Sequence, residues 1–169
     1  NLTLSASGSL GTTSTNDLIL TGSNSGIGTL SSVIAGAGTL TKNGTGTWIL
    51  SGTNSFSGGT VINDGTLKLS NTAALGTSAR TLTLAGGMLD LATDSTVNAY
   101  PTVVTASSTI LSDKATANSA GITHTLGTLS IGTQTLSIAS GGNVTANSAF
   151  GISFGTTTLS GNARFDVAN

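Results

Sequence analysis

Short apolar pairs with period-2 spacing recur along the whole chain. In each pair two large apolar side chains flank one residue, usually polar, and Gly, Ser, Asn or Asp follows almost every pair. The pairs include Leu2/Leu4, Leu18/Leu20, Leu67/Leu69, Leu82/Leu84, Leu89/Leu91, Leu129/Ile131, Leu136/Ile138, Ile152/Phe154 and Phe165/Val167. This alternation predicts strands of about 3–5 residues with one apolar face. The pairs begin too close together for helices to lie between them, so the pattern predicts an all-β chain.

Strand length and turn chemistry separate two all-β architectures. An antiparallel sandwich or barrel needs longer strands and hairpin turns, yet Asn-Gly and Asp-Gly each occur once, at Asn43-Gly44 and Asp64-Gly65. A β-solenoid instead stacks short parallel strands, with Gly at sharp corners and Thr, Ser and Asn in ladders. The pattern favours a solenoid with about three short strands per coil, and the sandwich is the alternative. At roughly 20–25 residues per coil, the chain would form about seven or eight coils.

The composition is biased but still allows a core. Thr (32), Ser (24), Gly (24) and Asn (13) together make up about 55% of the 169 residues, a bias typical of disorder. However, 37% of the residues are hydrophobic, which is enough to fill a narrow solenoid. The net charge is -1, and the five cationic side chains lie far apart, which argues against nucleic-acid binding.

Targeting signals and membrane segments are not evident. Unbroken runs of large apolar residues stop at three, so no transmembrane helix is predicted. The chain begins at Asn1 without an initiator Met or a signal segment, and we interpret it as a processed or excised piece. The absence of Cys is compatible with export.

A longer motif lies between Gly36 and Leu69, which reads GAGTLTKNGTGTWILSGTNSFSGGTVINDGTLKL. It resembles the passenger-associated β-strand repeat of autotransporter proteins of Gram-negative bacteria. The matching positions are Gly36, Gly38, Leu40, Lys42, Gly44, Gly46, Leu50, Gly52, Asn54, Phe56, Gly58, Gly59, Thr60, Ile62, Gly65, Thr66, Leu67 and Leu69. The resemblance implies a right-handed parallel β-helix that is secreted to the cell surface or beyond. In that family the repeat is structural and related to export, and residues 93–127 fit it less well.

One departure from the repeat suggests a contact surface. The family usually has Leu where this chain has Trp48. If Trp48 and Leu50 point inward, Ile49 points outward and is a candidate self-association contact. The alternative is a singly exposed apolar residue, which is common.

The two ends of the chain resemble strands that are cut in mid-pattern. Residues 163–169 and 1–5 read as an uninterrupted family segment when joined, and neither end has a polar capping coil. We therefore expect residues 1–169 to form a single β-solenoid segment. It would be one section of a longer solenoid or a subunit that stacks end to end into a filament.

Candidate catalytic and ligand-binding residues are few. His124 has no acid close in sequence, although alternation with Ile122 and Leu126 predicts an inward position. Asp90 and Asp94 are the closest acidic pair, and Asp64 lies in a turn where Asp is favoured. The sequence predicts no catalytic site, no metal site and no cofactor.

Five Thr-X-Thr pieces raise the possibility of an ice-binding array. They are Thr39/Thr41, Thr45/Thr47, Thr81/Thr83, Thr123/Thr125 and Thr133/Thr135. Their first residues are separated by 6, 36, 42 and 10 positions, which is irregular for one aligned array.

The function predicted from these observations is structural and non-enzymatic. We expect a secreted, cell-surface or extracellular solenoid of a Gram-negative bacterium that acts as a rigid stalk, an adhesin scaffold or a fibre building block. Its expected partners are further copies, end to end or side by side, and a host surface or matrix; nucleic acid and membrane insertion are not expected. The alternatives are a carbohydrate-binding or carbohydrate-acting β-helix and an ice-binding solenoid.

Overall fold

The computed structural model describes residues 2–4, 16–23 and 26–168. Asn1, Ser5 and Asn169, which enter the prediction about the chain ends, lie outside the described residues. The strands are β1 (Leu2–Leu4), β2 (Leu18–Leu20), β3 (Ile27–Leu30), β4 (Leu40–Lys42), β5 (Thr47–Leu50), β6 (Thr60–Ile62), β7 (Thr66–Leu69), β8 (Leu82–Ala85), β9 (Met88–Ala92), β10 (Thr102–Ala106), β11 (Ser108–Asp113), β12 (Thr123–Thr125), β13 (Leu129–Ile131), β14 (Thr135–Ser140), β15 (Gly151–Ser153), β16 (Thr157–Leu159) and β17 (Arg164–Ala168). Within these ranges there is no helix that is long and apolar enough to cross a membrane.

The strands stack as a parallel β-helix, which confirms the predicted fold class. Sheet 1 has seven strands in the order β16-β13-β10-β8-β6-β4-β2, and sheet 2 has eight in the order β1-β3-β5-β7-β9-β11-β14-β17. The strand pairs in both sheets are parallel, as are β12 and β15 on the third side of the coil. Each coil therefore passes through sheet 1, a turn, sheet 2 and the third side.

The coils have two sizes. Leu40 pairs with Thr60, 20 residues later, but Thr102 pairs with Leu129, 27 residues later. The extra residues lie on the third side, which spans residues 93–101 in one coil and 114–128 in the next. We call residues 40–113 the narrow coils and residues 114–168 the wide coils.

The third side differs from the expected third strand in the narrow coils. There the chain is irregular, and Phe56, Leu75 and Tyr100 pack inward with at most 2% of their surface exposed. Regular pairing on this side occurs in the wide coils, between β12 and β15. Large side chains filling the corner take the place of a third ladder where the coil is short.

Inward apolar ladders fill the interior. On sheet 2, Leu50, Leu69 and Leu91 lie in register on successive strands and are fully buried. Burying one such side chain contributes about 1.5–3 kcal/mol relative to leaving it exposed. The core is thus a continuous column, as the period-2 pairs predicted.

The turns between sheet 1 and sheet 2 depend on stacked glycines. Gly44 and Gly65 have φ angles of +74° and +64°, a region that L side chains rarely adopt. A Cβ atom at Gly44 would lie 2.6 Å from the carbonyl oxygen of Gly22 on the preceding coil. A Cβ at Gly65 would collide in the same way with Gly44. Each turn is therefore restricted to Gly both by its backbone angle and by the turn beneath it.

Candidate functional site: a charged cluster where the coil widens

Two buried polar residues explain part of the repeat motif. Lys42 occupies an inward position of β4, and its Nζ donates to the carbonyl oxygens of Gly44 (2.6 Å) and Asp64 (3.0 Å) at the turns of two coils. Burial lowers the pKa of Lys42, and the charge of Asp64 partly opposes this effect. The ammonium thus ties adjacent turns together from inside the core.

Asn54 makes the matching tie on the third side. Its Oδ1 accepts from the backbone N–H of Ile34 (2.8 Å), and its Nδ2 donates to the carbonyl oxygen of Ala74 (2.5 Å). One buried amide therefore bridges the coil before it and the coil after it. Both residues hold the fold together and contact no open cleft in the described structure.

A different polar group lies at the boundary between narrow and wide coils. Lys68, Asp90 and Asp113 come from β7, β9 and β11, three successive strands of sheet 2. Lys68 Nζ lies 2.8 Å from Asp90 Oδ2 and 3.0 Å from Asp113 Oδ2. The two carboxylate side chains are 9% and 1% exposed, so one ammonium serves two buried acids.

The wide coils complete this cluster. The backbone N–H of Asn143 donates to Asp113 Oδ1 (2.9 Å), and His124 Nε2 lies 3.0 Å from the carbonyl oxygen of Asp113. A carbonyl oxygen only accepts hydrogen bonds, so Nε2 of His124 carries the proton. His124 is fully buried, which confirms its predicted inward position.

Burial dominates the electrostatics of the cluster. It raises the pKa of Asp90, and the repulsion of Asp113 adds to this, while Lys68 and His124 act in the opposite direction. Burial also lowers the pKa of Lys68, but its hydrogen bonds to Asp90 and Asp113 outweigh burial, and the pKa is raised overall. Asp90 Oδ1 and His124 Nδ1 are buried without a hydrogen-bond partner among the described residues.

The cluster is poorly suited to act on a substrate. A surface cavity of about 630 Å³ is lined by Ser140 and residues 145–150, which include no member of the cluster and no titratable side chain. Among the described residues, no group of three or more His, Asp or Glu side chains is placed to hold a metal ion. The cluster joins coils and carries charge, and it has no opening to a ligand-sized space.

The sequence did not reveal this grouping. Asp90 had been paired with Asp94, but Asp94 is exposed and binds Thr116, whose hydrogen bonds lower the pKa of Asp94. The available signal was the spacing: Lys68, Asp90 and Asp113 are 22 and 23 residues apart, close to one coil. Asp64 plays the expected turn role, because its Oδ1 accepts from the N–H of Gly65 (2.7 Å).

The candidate contact Ile49 takes the outward position on β5. It lies in register between Thr29 and Lys68, and is partly buried. Trp48 packs against the core, and its Nε1 donates to the carbonyl oxygen of Thr21 (2.8 Å). A Cβ at Gly28 would lie 2.6 Å from the indole, so the wide ring is accommodated by a missing side chain on the preceding coil.

Neither alternative ligand surface is assembled from the predicted residues. Thr41 and Thr83 lie on sheet 1, Thr47 and Thr135 lie on sheet 2, and Thr123 lies on the third side. The five Thr-X-Thr pieces therefore do not form one array. Of the aromatic side chains considered for carbohydrate binding, Phe56 and Tyr100 are buried.

Fold and buried ties together define a class of protein, the β-solenoid built from stacked, glycine-cornered coils. Within it, residues 40–69 match the family model described as passenger-associated-transport-repeat. The chain carries an autotransporter passenger repeat, as the motif at residues 36–69 predicted.

One curated relative supports the same assignment. Over 94 residues, or 53% of this chain, the sequence is 36% identical to the adhesin BmaC autotransporter of Brucella suis biovar 1 (strain 1330). The chain spans only 3% of the length of that relative. No solved structure matches the chain. The repeat and the relative support a secreted, cell-surface protein of a Gram-negative bacterium.

Proposed function

We propose that this chain is a structural, non-enzymatic section of the solenoid of a cell-surface adhesin, and that it acts as a rigid scaffold. The observation that carries this proposal is the continuous stacking of eight parallel strands in sheet 2. Seven intervals of about 4.8 Å give a rod section of roughly 34 Å. Bending or extending such a rod requires breaking backbone hydrogen bonds that run along its axis. The matched adhesin is a far longer protein, so a host-surface or matrix partner would be engaged by the whole passenger.

A binding assay separates a scaffold from an adhesive surface. We expect the purified chain to be rich in β-sheet and resistant to limited proteolysis. It should show no saturable binding to host cells or matrix at micromolar concentration. A misfolded variant such as Gly65→Asn controls for non-specific adhesion. Saturable binding by the folded chain alone would contradict the scaffold role and assign the adhesive surface to this section.

Self-association, end to end or lateral, is the second part of the proposal. The outward positions on sheet 1 include Ile19, Thr41, Val61 and Thr83, an uncharged row in register. Low charge leaves little repulsion between rods. On sheet 2 the proposed contact is Ile49. The idea that residues 1–169 form one section of a longer solenoid also stays a prediction.

Sedimentation velocity over a concentration series tests the contact. We expect Ile49→Thr to weaken association and Ile19→Thr, on the other sheet, to leave it unchanged; Ile19 is the matched control because it is 57% exposed. The reverse result would move the contact to sheet 1. A chain that stays monomeric at high concentration would end the proposal.

A further inference from the structure

The boundary between narrow and wide coils is held by the charged cluster. Asp90 belongs to the last narrow coil, and His124 lies on β12, the first strand of the widened third side. Asp113 connects them, because it shares Lys68 with Asp90 and its carbonyl oxygen accepts from His124. Ser112 Oγ adds a bond of 2.7 Å to the carbonyl oxygen of Ile122. These bonds fasten the third side of the wide coils to sheet 2.

Two atoms in this boundary have unmet hydrogen-bonding capacity of the same kind. With the proton of His124 on Nε2, Nδ1 of a neutral imidazole is an acceptor. Asp90 Oδ1 of an ionised carboxylate is also an acceptor. Both atoms are buried without a partner among the described residues. A buried acceptor without a donor is costly, so this region is incomplete in its neutral-pH form.

The charge balance points in the same direction. Two carboxylates, Asp90 and Asp113, face one ammonium, Lys68, and a neutral His124, which leaves one negative charge in a buried region. The neighbouring charged side chains Asp94 and Lys114 lie 3.8 Å from each other, outside the cluster's hydrogen bonds. One added proton would bring the cluster to zero net charge and supply a donor.

We propose that this boundary is a proton-binding latch, in which Asp90 and His124 share one proton that is taken up on mild acidification. The bound proton holds the third side of the wide coils against sheet 2. Burial, which raises the pKa of Asp90, supports this reading. The closed boundary binds the proton more tightly than the open one, so by linkage closure strengthens as the pH falls and weakens as it rises. The proposal does not depend on the scaffold role.

Hydrogen exchange on the whole chain measures the latch directly. After correction for intrinsic exchange, we expect segments within residues 119–126 to open about tenfold less often at pH 5.5 than at pH 7.5; a tenfold change corresponds to about one pKa unit between closed and open forms. Asp90→Asn removes the negative charge and should abolish the pH difference. Asp94→Asn, an acid on the same coil but exposed, is the matched control and should retain it.

Titration of the unmodified chain guards against a variant that fails to fold. Nitrogen-15 spectra of His124 should show the Nε2–H form at pH 8. Either its imidazole or the Asp90 carboxyl should titrate between pH 5 and 8. If neither group titrates, or if opening of residues 119–126 is equal at both pH values, the latch is wrong, and a bridging water would account for the two acceptors.

Discussion

The narrow and wide coils form the same two sheets with different turn chemistry. In the narrow coils, left-handed turn positions are occupied by Gly44 and Gly65. In the wide coils, left-handed positions are occupied by Asn118 and Asn147, with φ angles of 53° and 63°. Asn tolerates this conformation where space allows. The difference shows that packing of each turn on the preceding turn, rather than backbone angle alone, restricts the narrow coils to Gly.

The buried polar groups differ in the same way. In the narrow coils, Lys42 and Asn54 have backbone partners on neighbouring coils. At the start of the wide coils, Asp90 and His124 each leave one buried atom unpaired. A regular coil offers backbone partners at a fixed height, and the change in coil size interrupts that supply.

Replacing Gly65 by Asn should have the largest effect. Asn tolerates the backbone angle, so the remaining penalty is the collision of its Cβ with Gly44. Overpacking against backbone that cannot move away should cost about 3 kcal/mol or more. The free energy of unfolding in urea measures it. Gly142→Asn in the wide coils, where no atom lies within 4 Å of the added Cβ, should change it by about 0.5 kcal/mol at most. Equal losses in the two variants would refute the packing explanation.

Asn54→Ala should come next. The variant leaves the N–H of Ile34 and the carbonyl oxygen of Ala74 buried without partners. At about 1–3 kcal/mol for each unsatisfied group, the combined loss should be about 3 kcal/mol. Chemical denaturation gives the value, and the exposed Asn162→Ala serves as control. A loss similar to that of the control would mean that the bridge adds no stability.

Lys42→Met should cost about 2 kcal/mol at neutral pH, because the turn carbonyls lose a charged donor. The folded-state pKa of Lys42 is lowered, so its unfolded state binds more protons and the stability of the native chain rises with pH up to about 10.5. The deficit of the variant should therefore grow between neutral and alkaline pH. Urea unfolding at several pH values checks this, with the exposed Arg80→Met as control. A deficit that shrinks would show that the charged form is the stabilising one.

Asn147→Gly should have the smallest effect. Gly relieves the left-handed backbone cost but increases the conformational entropy of the unfolded chain, and the two effects nearly cancel. We expect a change of about 0.5 kcal/mol at most in the unfolding free energy. A large loss would place a packing constraint on the wide coils as well, and the contrast with Gly65 would disappear.

Local pattern was sufficient for the strands and their inward faces. The pairs Leu67/Leu69 and Leu89/Leu91 are strand residues with buried side chains, and the inward position of His124 followed from alternation alone. The charged cluster could not be found in this way. Lys68, Asp90 and Asp113 are remote in sequence, and their proximity depends on how many residues each coil contains.

The sequence by itself determined an all-β chain, the inward apolar ladders, the glycine corners and the autotransporter repeat, because each depends on spacing within one strand or one coil. Tertiary structure alone decided the change in coil size near residue 114, the absence of a third ladder in the narrow coils and the meeting of Asp90 with His124. The physical reason is register. Side chains on neighbouring coils touch only after every intervening turn has set its length, and that length varies here from about one coil of 20 residues to one of 28.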